Sequence, residues 1–311
     1  MDQNPDFSDQ AALDAVLNGA VEFDNLQNRG TQEEELVYLP NKLTPFTGWS
    51  QETHRNGQVS DLIHYVDGRK DGLSVEWYEN GQLYRKQLYQ ETRRNGLYEK
   101  WHVNGHIARK CNYHNDSKDG LHESWFENGN KQERYTFKDN KKEGLCEDWH
   151  ENGQQALEYF ITNGNTEGLS ESWYEDGQRW KTINYIGGQF HGLYESWHPN
   201  GNRRSRYSCK NGQIDGTFED WHPNGNRWKK ACYKDGQYQG LYEDWSLEGK
   251  KRSRLNYREG MKDGICEGWH SNGELSWKCT FREGKEHGTW ECWDEDGNHT
   301  LDEWQDGELV E

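Results

Sequence analysis

The chain has 311 residues, 31% of them hydrophobic, and a formal charge of −18. So low an apolar fraction is common in disordered chains, but 16 Trp and 17 Tyr supply large buried areas from few positions and argue for a thin, ordered structure. No run approaches the roughly 18 apolar residues of a membrane helix, and the acidity sits at the ends: net −7 over residues 1–47, net −9 over residues 288–311, and near −2 over the 240 residues between.

Residues 1–35 read as an N-terminal cap. Its start, Met1-Asp-Gln-Asn-Pro, has neither the basic opening nor the apolar run of a secretory signal. Ser8 is the expected N-cap of a short helix with Leu13, Val16 and Leu17 on one face, docked near the first hairpin. Leu36-Val-Tyr-Leu-Pro-Asn-Lys-Leu-Thr-Pro-Phe-Thr-Gly48 then leads in as strand and turn.

Residues 36–311 form a repeat array. A glycine recurs every 24 residues from Gly48 and Gly72 to Gly264 and Gly288, giving eleven units without insertion or deletion. A Trp follows five residues later, and a second glycine, Gly57 to Gly297, four residues after that. A fixed period of this size marks an architecture in which each unit packs on its neighbours. Asn precedes the second glycine in eight units, as in Asn200-Gly201; Asp176, Asp296 and Glu248 replace it in the others. Asn-Gly between strand-like runs predicts a two-residue type I′ hairpin, and a second turn is expected at Tyr233-Lys-Asp-Gly236 and its equivalents. The predicted fold is all-β: an elongated, single-layer antiparallel hairpin array of eleven 24-residue units with a short N-terminal helix. Its end strands would be open edges, which the acidic termini would protect from edge-to-edge pairing.

That turn fixes a register. It sets Glu99 opposite Lys110, Glu123 opposite Arg134, Glu195 opposite Arg206, Glu219 opposite Lys230, Glu243 opposite Arg254 and Glu267 opposite Lys278, with Glu147 and Glu158 a like-charge exception. Each opposite-charge pair contributes roughly 0.2–1 kcal/mol, so the ladder is expected to be structural rather than a row of acid–base catalysts. The same register sets Trp173 opposite Trp180, Trp221 opposite Trp228, His198 opposite Arg203 and His222 opposite Arg227. Cys266 falls opposite Cys279, able to form a cross-strand disulfide where oxidised; seven cysteines at mixed positions fit a reducing, cytoplasmic setting and a thiol pair.

The histidine row His54, His102, His150, His198, His222 and His270 is expected at the surface. Equivalent positions lie two strands apart, about 9–10 Å, too far to share one zinc. No nucleophile elbow, phosphate loop or dinucleotide fingerprint occurs, so no metal, cofactor or catalysis is expected. The Trp row, which begins at Trp77 and ends at Trp293, has two uses. Its rings could stack along one face as the core, or part of that face could be a groove for a partner, with Trp101, Trp125, Trp149, Trp173, Trp197, Trp221, Trp245 and Trp269 as its contacts.

The pattern Gly-Leu-Tyr-Glu-x-Trp-x-x-Asn-Gly followed by Tyr-x-Asp-Gly, seen at Gly192–Asn200 and Gly240–Asp244, resembles the variant MORN repeats of the YwqK-like family over about residues 36–307. The lead-in Thr44-Pro-Phe-Thr-Gly48 resembles the start of bacterial members. Thr53 (no Trp), Val75 (no Glu) and the segment after Asp296 depart from the pattern. The resemblance implies a MORN-like meander and a non-catalytic antitoxin component that neutralises a protein partner, a toxin, by binding it. The alternative is a membrane-associated scaffold holding lipid headgroups through Arg203, Arg204, Arg206 and Lys250, Lys251, Arg252, Arg254. The near-neutral body makes that alternative weak, and the overall charge opposes nucleic acid.

Overall fold

The computed structural model describes residues 7, 9–31 and 35–310, arranged as two compact units, Met1–Gln154 and Gln155–Glu311. In the first, an α-helix spans Gln10–Gly19, and Leu13, Val16 and Leu17 are half-buried. Its N-cap is Asp9, whose carboxylate accepts from the Ala11 amide at 3.0 Å; Ser8 lies outside the described residues. The short strand Val21–Glu22 pairs in parallel with Gly48–Thr53, Val21 opposite Ser50. Part of the first hairpin's outer edge is therefore covered by backbone. Leu36–Tyr38 pairs with Gln27–Arg29, and Val37, Phe46 and Tyr65 form a small core there. Gly68 is required at this junction, since it is left-handed (φ +78°) and a Cβ would lie 2.9 Å from the Val37 backbone.

Beyond this cap each unit is an antiparallel meander of consecutive strands, such as Gln189–Trp197, Arg203–Lys210 and Gln213–Trp221. The Asn-Gly turn is not the type I′ turn expected from the sequence. At each second glycine the amide donates three residues back (Gly201 N to His198 O, 2.9 Å), and the strand closes around a three-residue loop (His198 N to Asn202 O, 2.8 Å). Gly201 alone is left-handed (φ +84°), while Asn200 is not among the positive-φ residues. This is a turn followed by a left-handed glycine, the three-residue hairpin loop. The type I′ geometry lies at the other turn: Asp235 (φ 49°) and Gly236 (φ 80°) are both left-handed, with Lys234 opposite Gln237.

The register beyond the turn nevertheless matches a two-residue loop. The returning strand carries one extra residue, Arg204, between Arg203 (opposite Trp197) and Ser205 (opposite Ser196). A one-residue longer loop and a one-residue bulge cancel. The correction falls on the residues between them: Trp173 faces Arg179 and Trp221 faces Arg227, not Trp180 and Trp228. His198 and His222 close their loops against Asn202 and Asn226, not Arg203 and Arg227. The last hairpin has no such bulge, and Glu291 therefore faces Leu301.

One face carries Tyr, Ser and Cys, the other Leu, Glu and Trp, as strand alternation requires. On the first face of the second unit the rings run Tyr194, Tyr207, Phe218, Tyr233, Tyr238, Tyr257, with neighbouring centroids 4.4 to 5.8 Å apart. Small side chains on the same face, Ser196, Cys209, Ala231 and Cys266, are buried. Cys266 and Cys279 are register partners, both buried and both free. Burial, then the neighbouring Cys266, push the Cys279 thiol up to about 12, and burial also raises Cys266, Cys111 and Cys209. Thiolate is the reactive form. With a chromogenic disulfide at pH 8 we expect the half-buried Cys232 and Cys292 to react first, and the five buried cysteines only after denaturant is added. Five fast thiols would contradict this packing.

Candidate functional site

Every Trp of the row from Trp77 to Trp293 is half-buried on the Glu face, and none belongs to the buried core. The expected ring-on-ring core is not what forms: successive rows lie two strands apart, about 9–10 Å, too far for rings to touch. A cation from the preceding repeat covers many of the indoles instead. Lys131 lies over Trp149 (5.6 Å), Arg179 over Trp197 (5.7 Å), Arg203 over Trp221 (5.5 Å), Arg227 over Trp245 (5.6 Å) and Lys251 over Trp269 (5.5 Å). In the first unit Lys86 sits 5.8 Å from the Trp101 centroid. Such contacts contribute about 0.5–1 kcal/mol each at exposed sites.

The same cations are held by the ladder glutamates. Lys131–Glu123 (2.7 Å), Arg179–Glu171 (2.8 Å), Arg203–Glu195 (3.2 Å), Arg227–Glu219 (3.0 Å) and Lys251–Glu243 (2.6 Å) repeat one arrangement. The unit is therefore a triad: Glu, a base eight residues on, and the Trp of the next repeat. The six register pairs named from the sequence are all opposite one another: Glu99/Lys110, Glu123/Arg134, Glu195/Arg206, Glu219/Lys230, Glu243/Arg254 and Glu267/Lys278. Charge contact closes on either side of a strand. Glu99–Lys110 (3.2 Å) and Glu195–Arg206 (3.5 Å) close within the hairpin, whereas Arg134 reaches Glu147 (3.2 Å) and Arg254 reaches Glu267 (3.7 Å), their register partners on the following strand. Sequence reasoning missed the triad, although its signal was visible as a base six residues after five of the ten tryptophans (Lys131, Arg179, Arg203, Arg227, Lys251).

The histidine row is not a free surface row. His54, His102, His198, His222 and His270 are half-buried, and their Nε2 atoms lie 2.7–3.2 Å from the carbonyl oxygens of Trp77, Trp125, Trp221, Trp245 and Trp293. Tyr78 and Tyr174 donate their hydroxyls to the Trp101 and Trp197 carbonyls in the same way. The loop asparagines do two jobs. Asn200 Oδ1 accepts from the Asn202 amide (3.1 Å), and its Nδ2 donates to the Pro223 carbonyl in the next loop (2.6 Å). That dual role, rather than a left-handed backbone, accounts for Asn before the second glycine.

On the opposite face Lys229 donates to the Tyr238 hydroxyl (2.8 Å) and lies 5.0–5.3 Å from the Phe218, Tyr238 and Tyr242 ring centroids. Burial pushes Tyr238 up, but Lys229 and Tyr233 pull it to a net value below that of an ordinary phenol. Asp220, opposite Lys229, is raised by burial against the opposing pull of the Ser205 hydroxyl and Lys229. A carboxylate raised on folding contributes stability that is fully present below its unfolded value and is lost as pH rises through the folded one. We therefore expect Asp220→Asn to raise the urea midpoint at pH 7, the gain shrinking toward pH 4. A gain that grows as pH falls would refute the assignment.

Three of the open clefts line these surfaces. Two recur between successive second-glycine loops of the second unit: about 610 Å³ around His198, Arg204, Trp221, His222 and Trp228, and about 450 Å³ around Lys250, Lys251, Arg252, Trp269 and His270. The third, about 610 Å³, lies in the first unit beside Glu52, Asp61, Glu76 and Arg85. No described helix is long and apolar enough to cross a membrane.

Six segments of the chain match the family described as MORN repeat variant: residues 70–91, 94–115, 118–139, 166–186, 190–211 and 214–235. The chain carries MORN-type repeats there. No curated protein matches. Among 78 solved chains that do, one belongs to the "Crystal Structure of TcdB2-TccC3-Cdc42", at 10% identity and a TM-score of 0.20, with 89% of this chain and 16% of that chain covered. This chain thus spans about a sixth of the length of that one.

Proposed function

We propose that this chain is a non-catalytic, cytoplasmic protein-binding scaffold of MORN-type repeats, and that its partner is a toxin it neutralises by occupying it. One observation carries the reading: the acidic and basic side chains set at regular intervals are spent on one another and on the indoles. Glu195, Arg203 and Trp221 are one such set. The clefts beside these sets are open to water, which suits holding a partner better than transforming one. Trp101, Trp125, Trp149, Trp173, Trp197, Trp221, Trp245 and Trp269 present their uncovered rims along the surface assigned to that partner.

The headgroup-binding alternative loses ground on the same observation. Of its seven cations, Arg203, Arg206, Lys251 and Arg254 already oppose glutamates. The deciding experiment is affinity purification of the full chain from its own cell, followed by expression of any stoichiometric partner with and without it. A partner that arrests growth alone and not in the pair supports the proposal. Absence of a stoichiometric protein overturns binding, and a harmless partner overturns neutralisation alone. Co-sedimentation with anionic vesicles would favour the alternative.

A further inference from the structure

The bulge that corrects the hairpin register also creates a row of side chains with no residue opposite them. In four consecutive hairpins of the second unit these are Trp180, Arg204, Trp228 and Arg252, each the extra residue of its hairpin. Bulges re-aim side chains out of the sheet's alternation, and this row shows it. Trp180 is 40% exposed and Trp228 is 48% exposed, the most open tryptophans among the exposed hydrophobics. Arg204 and Arg252 are exposed as well. The arginines at 179, 203, 206, 227, 254 and 258 each have a carboxylate within ion-pair distance. Among the described residues of that stretch, Arg204 and Arg252 have none.

These side chains are near one another. Arg204 and Trp228 line the same cleft of about 610 Å³, and Arg252 lines its counterpart two repeats on. The Trp180 ring lies 6.1 Å from Tyr174, whose hydroxyl feels the charge of Arg204. The alternation is local to this stretch. The same bulge position holds Tyr84, Ala108 and Gln132 in the first unit and Ser276 later in the second.

We infer that Trp180, Arg204, Trp228 and Arg252 form a docking stripe for an extended acidic peptide of the partner protein, one that alternates apolar and acidic side chains at every third residue. The inference rests on the protein-binding reading and adds the chemistry of the bound segment. Spacing is the first argument. Successive members lie two strands apart, about 9.6 Å at roughly 4.8 Å per strand. A polyproline II peptide has three residues per turn and rises about 3.1 Å per residue, so every third side chain returns to one face after about 9.3 Å. Such a peptide crossing the strands would place ten residues along the stripe in step with it.

Charge is the second argument. Two guanidinium groups without a carboxylate at ion-pair distance, alternating with two exposed indoles, call for carboxylates alternating with apolar groups, and Trp and Arg are among the residues that dominate binding energy at protein interfaces. A polynucleotide fits less well, because two free cations neutralise few phosphates on a chain of net charge −18.

The probe is a fluorescein-labelled peptide, Phe-Pro-Pro-Glu-Pro-Pro-Phe-Pro-Pro-Glu, titrated by anisotropy against the full chain. Its reversed sequence covers the other chain direction. A peptide of the same composition with the two Phe adjacent and the two Glu adjacent is the control. One in-register peptide should bind about tenfold more tightly than the control, and the pair Arg204→Gln with Arg252→Gln, or Trp228→Ala alone, should each cost about tenfold. All three side chains are exposed, and thermal melting checks that the variants fold. Equal binding of the control overturns the stripe, as does indifference to the substitutions, or displacement of the peptide by equimolar oligothymidylate. A partner recovered from the cell equally well by wild type and by the triple variant would also reject the stripe while leaving protein binding standing. Failure to recover any partner would instead remove that reading.

Discussion

Val75→Glu, which restores the repeat's own residue, is expected to destabilise the first unit by about 3 kcal/mol. Glutamate holds this position in most other repeats, and at Glu123, Glu195, Glu219 and Glu243 a Lys or Arg lies across from it and another base reaches it from eight residues on. In this repeat the neighbour across the preceding turn is Leu62, and both Leu62 and Val75 are fully buried. A carboxylate introduced there loses its water and meets a leucine, with Lys86 on one side as its only cross-strand base. Adding Leu62→Arg supplies the partner the other repeats have and should recover much of the loss. Urea unfolding of the single and double variants measures the difference. A neutral single variant would mean that the pair is not the local core it is taken to be.

Gly268→Ser is the second large effect, expected at about 2 kcal/mol from overpacking. Its position carries Ser172, Ser196, Asp220 and Asp244 in neighbouring repeats, so serine looks harmless from the sequence. Its register partner, however, is Trp277. A Cβ at Gly268 would overlap the Nε1 and Cε2 atoms of that indole. Trp277 packs against the cluster of Cys266, Cys279 and Phe281 and lies 6.2 Å from Trp290, so it has little room to move away. In a Trp277→Ser background the same substitution should cost close to nothing, and the double-mutant cycle isolates the clash. Equal costs in both backgrounds would put the effect elsewhere.

Both cases show where the sequence was readable. The period, the hairpins and the helix near Leu13 and Leu17 followed from local chemistry: glycine at left-handed positions and apolar spacing. The register of Glu195 with Arg206 emerged from a wrong turn. The Asn200-Gly201 loop is one residue longer than assumed, and the Arg204 bulge takes that residue back. Because the two offsets cancel, agreement along the ladder could not expose the error. Only residues inside the offset, Trp180 and Trp228 among them, were misplaced, and they are the ones the candidate docking stripe uses. The cover over each indole was hidden for a different reason: Arg203 meets a Trp in the following repeat, Trp221, and pairing within one hairpin says nothing about it.

Within each unit the side-chain links between consecutive second-glycine loops point one way. His198 and Asn200 bond to the carbonyls of Trp221 and Pro223, as His54 and Asn56 bond to those of Trp77 and Glu79, so each loop is completed by the repeat that follows it. On a ribosome the newest loop is therefore always the unfinished one, and it is locked when the next 24 residues emerge. Assembly would keep step with translation, like a zip fastener whose slider is the growing end of the nascent chain.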